Sequence, residues 1–257
     1  MLSTEEKERY ARHLMLDEVG EAGQERLRSG RVLVIGAGGL GSPAALYLAA
    51  AGVGTIGVAD GDRVELSNLQ RQVIHGSSDL GRAKVESARD RMLEINPGVQ
   101  VECIGERLTP ENIAQFVGRY DFVLDATDNF EAKFLINDAC LAAGVSYSHG
   151  GILRYKGQTM TVLPGKSTCY RCIFPEPPEA EVALSCSRAG VLGVLPGVIG
   201  VIQATEAIKF LLGIGELLTS RLLTYDALTL RFREVALGRN PDCPACGGGR
   251  SRNCSTF

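Results

Sequence analysis

Tryptophan is absent, and histidine is scarce, with three in 257 residues. His13, His75 and His149 fall at no spacing that suggests a catalytic proton relay. Neither sign of charge is in large excess. The 27 basic and 30 acidic residues leave a net charge of −3, too near neutral for charge-driven nucleic-acid binding. The first residues, Met1 to Glu6, are acidic and polar and lack the basic start and apolar core of a secretion signal. No long apolar run is free of polar interruptions. Val191 to Leu212 contains Pro196, Gln203, Glu206 and Lys209, each costly in hydrocarbon, so a buried amphipathic helix is expected there rather than a membrane span. There are no internal repeats. These absences predict a soluble cytoplasmic protein that works neither on nucleic acid nor in a membrane.

What is present is a pattern of alternating strands and helices. Ser3 and Glu6 form a capping-box pattern, with Leu2 placed to staple a helix running to about Leu16. Arg31 to Ile35 reads as a strand covered on both faces, and a helix follows to about Ala51. Further strands are expected at Thr55–Ala59, Val99–Ile104 and Asp121–Asp125. Helices are expected at Gly81–Ile95, Pro110–Phe116 and Phe130–Ala143. Strands near Val145–Ser148 and Gln158–Leu163 come next, then a Pro- and Glu-rich loop from Cys169 to Ser187 and the apolar helix from Gly190. Two short strands, Leu222–Asp226 and Thr229–Glu234, meet at a tight turn. The fold class is therefore α/β: a Rossmann-like doubly wound sheet, mainly parallel, with antiparallel strands toward the C-terminal half. Residues 1–246 are expected to form one domain, and residues 247–257 a flexible tail.

Gly36-Ala37-Gly38-Gly39-Leu40-Gly41 lies between the first strand and its helix, where glycines let phosphate approach the backbone and a helix N-terminus. Asp60 ends the second strand about 20 residues on, suited to ribose hydroxyls. This fingerprint does not choose between NAD and ATP. The next segment favours ATP. Ser67-Asn68-Leu69-Gln70-Arg71-Gln72 crowds polar donors together and Lys84 follows, cations that suit triphosphate oxygens. Asp128, beside Asn129 after the fourth strand, offers an oxygen ligand to Mg²⁺.

The eight cysteines sort by spacing. Cys169-x-x-Cys172 and Cys243-x-x-Cys246 supply four thiolates, the ligand set of a closed, structural Zn²⁺ site. The long gap between the pairs means the metal would clip the C-terminal end back onto the loop after the sheet. A redox pair is the rival reading, but two pairs argue against it. Cys103 and Cys140 are expected to pack in the core, and Cys254 to be an incidental thiol in the tail. Cys186 sits beside Arg188, which would favour its thiolate.

Together these motifs, with Arg9-Tyr10-Ala11-Arg12, Lys84-Val85-Glu86-Ser87-Ala88 and Asp125-Ala126-Thr127-Asp128-Asn129, resemble the MoeB/ThiF family of sulfur-carrier activating enzymes in order and over nearly the whole chain. The resemblance implies adenylation by ATP of the C-terminal Gly-Gly of a ubiquitin-like sulfur-carrier protein, before it becomes a thiocarboxylate. By position it implies that Asp60 holds the ribose and that Asn68, Arg71 and Lys84 hold phosphates. It gives Asp128 the magnesium site and sends Arg12 into the ATP site of the second subunit of a homodimer. Cys186 aligns with a cysteine that some members use as a thioester or persulfide intermediate; a spectator thiol is the alternative. No rhodanese-like extension follows the cysteines, so a separate persulfide donor is expected. The carrier is expected to be of the molybdopterin-synthase small-subunit type, with a thiamine-thiazole or tRNA-thiolation carrier as the alternative. Its docking surface is expected to be apolar, near Phe174 and the Val191 helix. Readings from other classes are a zinc-containing NAD-dependent oxidoreductase and an inactive scaffold.

Overall fold

A computed structural model describes residues 1–179 and 189–247. Eight strands form one sheet: β1 (Arg31–Ile35), β2 (Thr55–Ala59), β3 (Gln100–Ile104), β4 (Phe122–Asp125), β5 (Ser146–Leu153), β6 (Lys156–Val162), β7 (Arg221–Asp226) and β8 (Arg231–Ala236). Their spatial order is β3-β2-β1-β4-β5-β6-β7-β8. The first five pair in parallel and the last three add on antiparallel, as expected.

The helices are α1 (Thr4–Arg9), α2 (Ala11–Leu14), α3 (Gly20–Ser29), α4 (Gly41–Ala51), α5 (Lys84–Ile95), α6 (Ile113–Val117), α7 (Phe130–Ala143), α8 (Tyr170–Ile173) and α9 (Leu195–Leu212). Strand side chains alternate in direction, so β1 feeds both faces of the sheet. Val32 and Val34 join Leu48, Ala88, Leu195 and Ile199 in the core under α4, α5 and α9. Leu33 and Ile35 join Val117, Phe134, Ile136 and Tyr147 on the other face, under α6 and α7. Two covered faces explain why β1 and β4 read as almost unbroken apolar runs.

The N-terminal expectation needs correction. The Ser3–Glu6 capping box is present and Leu2 is buried, but the helix breaks at Tyr10. Tyr10 tucks inward, where its hydroxyl accepts a 2.8 Å hydrogen bond from the buried Asn96 amide. α3 is not expected from the sequence. It buries only Gly23, Gln24 and Leu27, too narrow a face to give an apolar period. α5 starts at Lys84 rather than Gly81, and α9 at Leu195 rather than Gly190. The stretch expected as loop after Cys169 begins with α8. Cys140 is buried, but Cys103 is exposed, its thiol reaching the Val85 carbonyl at 3.3 Å, so its expected core role does not hold.

α9 is long and apolar enough to cross a membrane, yet two of its polar residues, Gln203 and Glu206, are buried in the protein core. Gln203 is fully buried and donates to the Asp125 and Ser148 carbonyls at 2.9 and 3.1 Å. Glu206 is also buried. It accepts from Thr161 Oγ1 and Leu218 N, both at 2.6 Å, and pairs with Lys209. These bonds satisfy the Gln203 amide nitrogen and the Glu206 carboxylate, which a hydrocarbon setting would leave unpaired, while the Gln203 amide oxygen has no partner among the described residues.

Candidate functional site

The chain runs outward from β1 to β2 and β3, then crosses back to lay β4 on β1's other side. Such a reversal opens a crevice at the carboxyl ends of the strands. Register does the rest. Ile35 pairs with Ala59 on one side and Asp125 on the other, so the turns after β1, β2 and β4 emerge together. Gly36 N donates to the Ala59 carbonyl and Ala126 N to that of Ile35, at 2.8 and 2.9 Å.

Two glycines of the turn are required by geometry. Gly36 has φ +101°, and a Cβ there would lie 2.7 Å from the Ala126 carbonyl oxygen. A Cβ on Gly41 would lie 1.8 Å from the Gly36 carbonyl oxygen, so no side chain fits where α4 starts. Buried His75 braces the turn from below, its Nε2 donating to the Ala37 carbonyl at 3.1 Å and its Nδ1 facing Ser87 Oγ at 2.8 Å. Burial is the main reason its imidazole sits below the ordinary value.

A cavity of about 650 Å³ fills the crevice. Gly36, Gly38, Gly39, Asp60, Arg71, Lys84, Asp128 and Asn129, all anticipated from sequence, line it. Asp60 Oδ2 accepts from Ala37 N at 2.8 Å, which sets the carboxylate beside the glycine turn. Lys84 Nζ, mostly buried at the start of α5, lies 2.9 Å from Asp62 Oδ2 and 3.9 Å from Asp60 Oδ2. Asp62 itself is exposed, so an incoming phosphate can take its place. The Gln72 amide oxygen is buried, and its residue lines the cavity; that oxygen has no hydrogen-bond partner among the described residues. An orphaned acceptor beside two cations suits a polar, anionic ligand with donors of its own.

Other expected residues stand off the cavity wall. Gly41 is a packing glycine. Ser67, Leu69 and Gln70 belong to the turn leading to Arg71, and the Asn68 amide oxygen caps that turn by accepting from Glu65 N at 3.1 Å. Arg12 is exposed on α2, away from the cavity, and its side chain has no partner among the described residues. Cys186 and Arg188 lie outside the described residues.

A larger cavity, about 890 Å³, adjoins the first, and the two share Thr127, Asp128, Asn129 and Ile152 in their walls. Beneath the shared wall lies a buried charge cluster that sequence reasoning missed. Asp125 accepts from Thr127 N and Oγ1 at 3.1 and 2.7 Å and from His149 Nδ1 at 2.8 Å. Lys133 Nζ lies 3.3 Å from both its oxygens and donates to the Thr127 and Gly150 carbonyls at 2.8 and 2.6 Å. Burial pushes the Asp125 carboxyl up, but the Lys133 charge and the His149 and Thr127 hydrogen bonds outweigh it and hold its pKa at about 2. Burial, then the Lys133 charge, pushes His149 below its ordinary value despite the Asp125 bond, which the ring makes by donating through Nδ1. The pair of bonds to Thr127 fixes the turn that carries Asp128.

The four paired cysteines come together as expected. Their sulfurs all lie within 4.8 Å of one another, with separations of 3.4, 3.6 and 3.8 Å among the closest. Tetrahedral zinc with Zn–S near 2.3 Å places its sulfurs about 3.8 Å apart, so the set fits that ion. Cys169 caps the start of α8 and Cys172 lies within it, and Cys243 and Cys246 hold the last described turn against it.

Comparison with known proteins agrees with this architecture. Residues 10–245 match the ThiF family. The chain is 50% identical over 248 residues to the SAMP-activating enzyme E1 of Haloferax volcanii, covering 96% of this chain and 92% of that one. It is 48% identical over 248 residues to the sulfur carrier protein adenylyltransferase of Thermus thermophilus, covering 95% and 92%. The crystal structure of E. coli MccB with ATP superposes with a TM-score of 0.82 at 25% identity, covering 93% of this chain and 74% of that one. With the family pattern spanning nearly all of its length, and relatives sharing about half of its residues, the chain belongs to the ThiF family.

Proposed function

We propose that this protein is an ATP-dependent adenylyltransferase that activates the C-terminal glycine of a ubiquitin-like sulfur-carrier protein ending in Gly-Gly. The observation that carries the reading is the pair of cavities joined at Asp128. One has a nucleotide fingerprint and cations, and the other is larger and open to a second, extended substrate. An NAD-dependent oxidoreductase needs neither Arg71 and Lys84 at its phosphates nor a second cavity of this size. A relative named for sulfur-carrier adenylation and a fold neighbour crystallised with ATP support the same reading.

The chemistry follows from the site. Asp60 accepts from the ribose hydroxyls. Lys84 leaves Asp62 for phosphate oxygens, and Arg71 adds a second cation. A carrier carboxylate oxygen attacks the α-phosphorus of ATP and the bond to the bridging oxygen breaks. Pyrophosphate leaves, and an acyl-adenylate remains. No protein nucleophile is required, so the residues act by positioning and charge stabilisation. Asp128, exposed on the wall shared by the two cavities, is the residue to hold Mg²⁺, which supplies charge neutralisation at the phosphates when bound. The outer sulfur of a persulfide, supplied by a separate donor, then attacks the acyl carbon and displaces AMP. A thiol cleaves the resulting acyl disulfide, releasing the thiocarboxylate and ending in a disulfide with the persulfide's inner sulfur.

Arg12, whose side chain has no partner among the described residues, completes the site of a second copy, which makes the working unit a cytoplasmic homodimer. Cys186 is the residue to carry that persulfide, received from the donor, so that the acyl disulfide is its covalent intermediate with the carrier. The four-cysteine site binds structural Zn²⁺. The carrier is of the molybdopterin-synthase small-subunit type. ATP–pyrophosphate exchange with a panel of small proteins ending in Gly-Gly tests the proposal. Exchange that depends on one carrier and disappears in Asp128→Ala is expected. Exchange with none, from folded and zinc-loaded protein, would refute it.

A further inference from the structure

The larger cavity runs from Asp128 to the far edge of the sheet, and its outer wall carries Lys156, Arg231 and Arg233. All three are exposed, and among the described residues none of their side chains has a hydrogen-bond or ion-pair partner. That sets them apart from Arg31, Arg82, Arg171 and Arg221, each held by at least one carboxylate. Strand register lines the cations up. Lys156 pairs with Asp226 and Asp226 with Arg231, so they form one row across β6, β7 and β8, with Arg233 two residues further along β8. Asp226 stands between two cations without bridging to either, its Oδ1 instead accepting from Leu228 N at 3.0 Å. The lip is therefore cationic on a chain whose net charge is −3.

Charged side chains on an edge strand also serve to repel other strands. That accounts for Arg231 and Arg233 on β8, but not for Lys156, which lies two strands inside the edge. Apolar side chains flank the row at the hairpin tip, where Leu228 and Leu230 are both more than half exposed, while Phe232, between the two arginines, turns to the other face and stacks on Tyr225. An apolar surface bordered by unpaired cations suits a protein partner with an acidic border.

We propose that this lip selects carriers bearing acidic side chains beside the root of their C-terminal tail. The inference rests on the adenylation reading above and places docking on the outer strands, apart from the Phe174 and Val191-helix surface expected from sequence. A tail whose last glycine reaches Asp128 extends outward through the cavity, about 3.3 Å per residue. The residues that precede it, and the body of the carrier, then meet Lys156, Arg231 and Arg233.

The test is the double variant Lys156→Glu/Arg231→Glu in ATP–pyrophosphate exchange. The probe is a Gly-Gly-ended ubiquitin-like protein that supports exchange with the unaltered enzyme. Reversing two exposed charges is expected to raise the KM for that carrier at least about tenfold. The KM for ATP and kcat at saturating carrier should stay unchanged, which also shows that the variant is folded. The difference should shrink in roughly 0.5 M salt, where exposed charges are screened. A carrier with the acidic residues near its tail changed to lysine should restore the KM of the variant. An unchanged carrier KM, or a rise that the lysine carrier does not reverse, would overturn the proposal while leaving adenylation intact. Inhibition of exchange by a single-stranded oligonucleotide, relieved in the variant, would overturn it by assigning the lip to nucleic acid. Absence of exchange with the unaltered enzyme would instead remove the adenylation reading beneath it.

Discussion

Replacing Lys133 with methionine keeps most of the side-chain volume and removes the ammonium from the cluster under the Asp128 turn. The loss is concentrated. Asp125 keeps only its bonds to Thr127 and His149, while the Thr127 and Gly150 carbonyls each lose a donor at 2.8 and 2.6 Å. Both ends of the pair are mostly buried, Asp125 almost fully. Breaking a buried ion pair on one side costs roughly 3–5 kcal/mol. For a chain of this size each kcal/mol moves the midpoint about 2–4 °C, so Tm is expected to fall by roughly 6–20 °C. Thermal unfolding followed by circular dichroism near neutral pH measures it. His149 supplies an internal check. Lys133 is one of the causes that hold its imidazole down, so the variant should titrate His149 at higher pH in an NMR titration.

The sign with pH follows from Asp125, whose folded pKa of about 2 lies below the ordinary carboxylate value near 3.9. The stability this difference provides is complete above about pH 4 and is lost as pH falls through about 2. The variant should lose less stability over that window than the unaltered protein. A Tm within about 2 °C of the unaltered value, together with an unmoved His149, would refute the role assigned to the cluster.

Four further outcomes follow from the same geometry. Gly41→Ala should fail to fold or unfold at much lower denaturant, because a Cβ 1.8 Å from the Gly36 carbonyl oxygen forces β1 and α4 apart. Urea titration reads this. Gly36→Ala should fold with a loss of about 1–3 kcal/mol and bind ATP poorly by calorimetry, since it strains the turn that faces the nucleotide. If the proposed zinc site holds, Cys172→Ser should abolish stoichiometric zinc by elemental mass spectrometry and lower Tm, with ATP affinity little changed because the four cysteines lie outside the nucleotide cavity. Tyr10→Phe should cost about 1 kcal/mol, the net worth of its hydrogen bond from Asn96, measured in chemical denaturation.

The nucleotide half of the site is legible in the sequence because its requirements are local. A glycine turn after an apolar strand, Asp60 at the next strand end and the Arg71–Lys84 cations are contiguous or evenly spaced signals. The four zinc-type cysteines are legible for a similar reason, each pair being its own short motif. The Asp125–Lys133–His149 cluster is not, because parallel register alone brings Asp125 on β4 opposite His149 on β5. Nothing in their spacing announces that contact. His75 gives no signal for the same reason, its partner Ala37 lying 38 residues away in sequence. α3 escapes notice because glycine and glutamine make up most of its buried face, leaving the hydrophobic period to Leu27 alone. The cationic lip is likewise a product of antiparallel register, which aligns Lys156 and Arg231 across β7.

The measurement that tests the central claim most directly is the intact mass of a Gly-Gly-ended carrier after incubation with the enzyme, ATP and Mg²⁺. The account predicts a carrier heavier by one adenylyl group, formed only with ATP and absent when the Asp128→Ala variant replaces the enzyme. Addition of sulfide should convert that adduct to a thiocarboxylate. An unmodified carrier, with ATP bound and zinc in place, would contradict it.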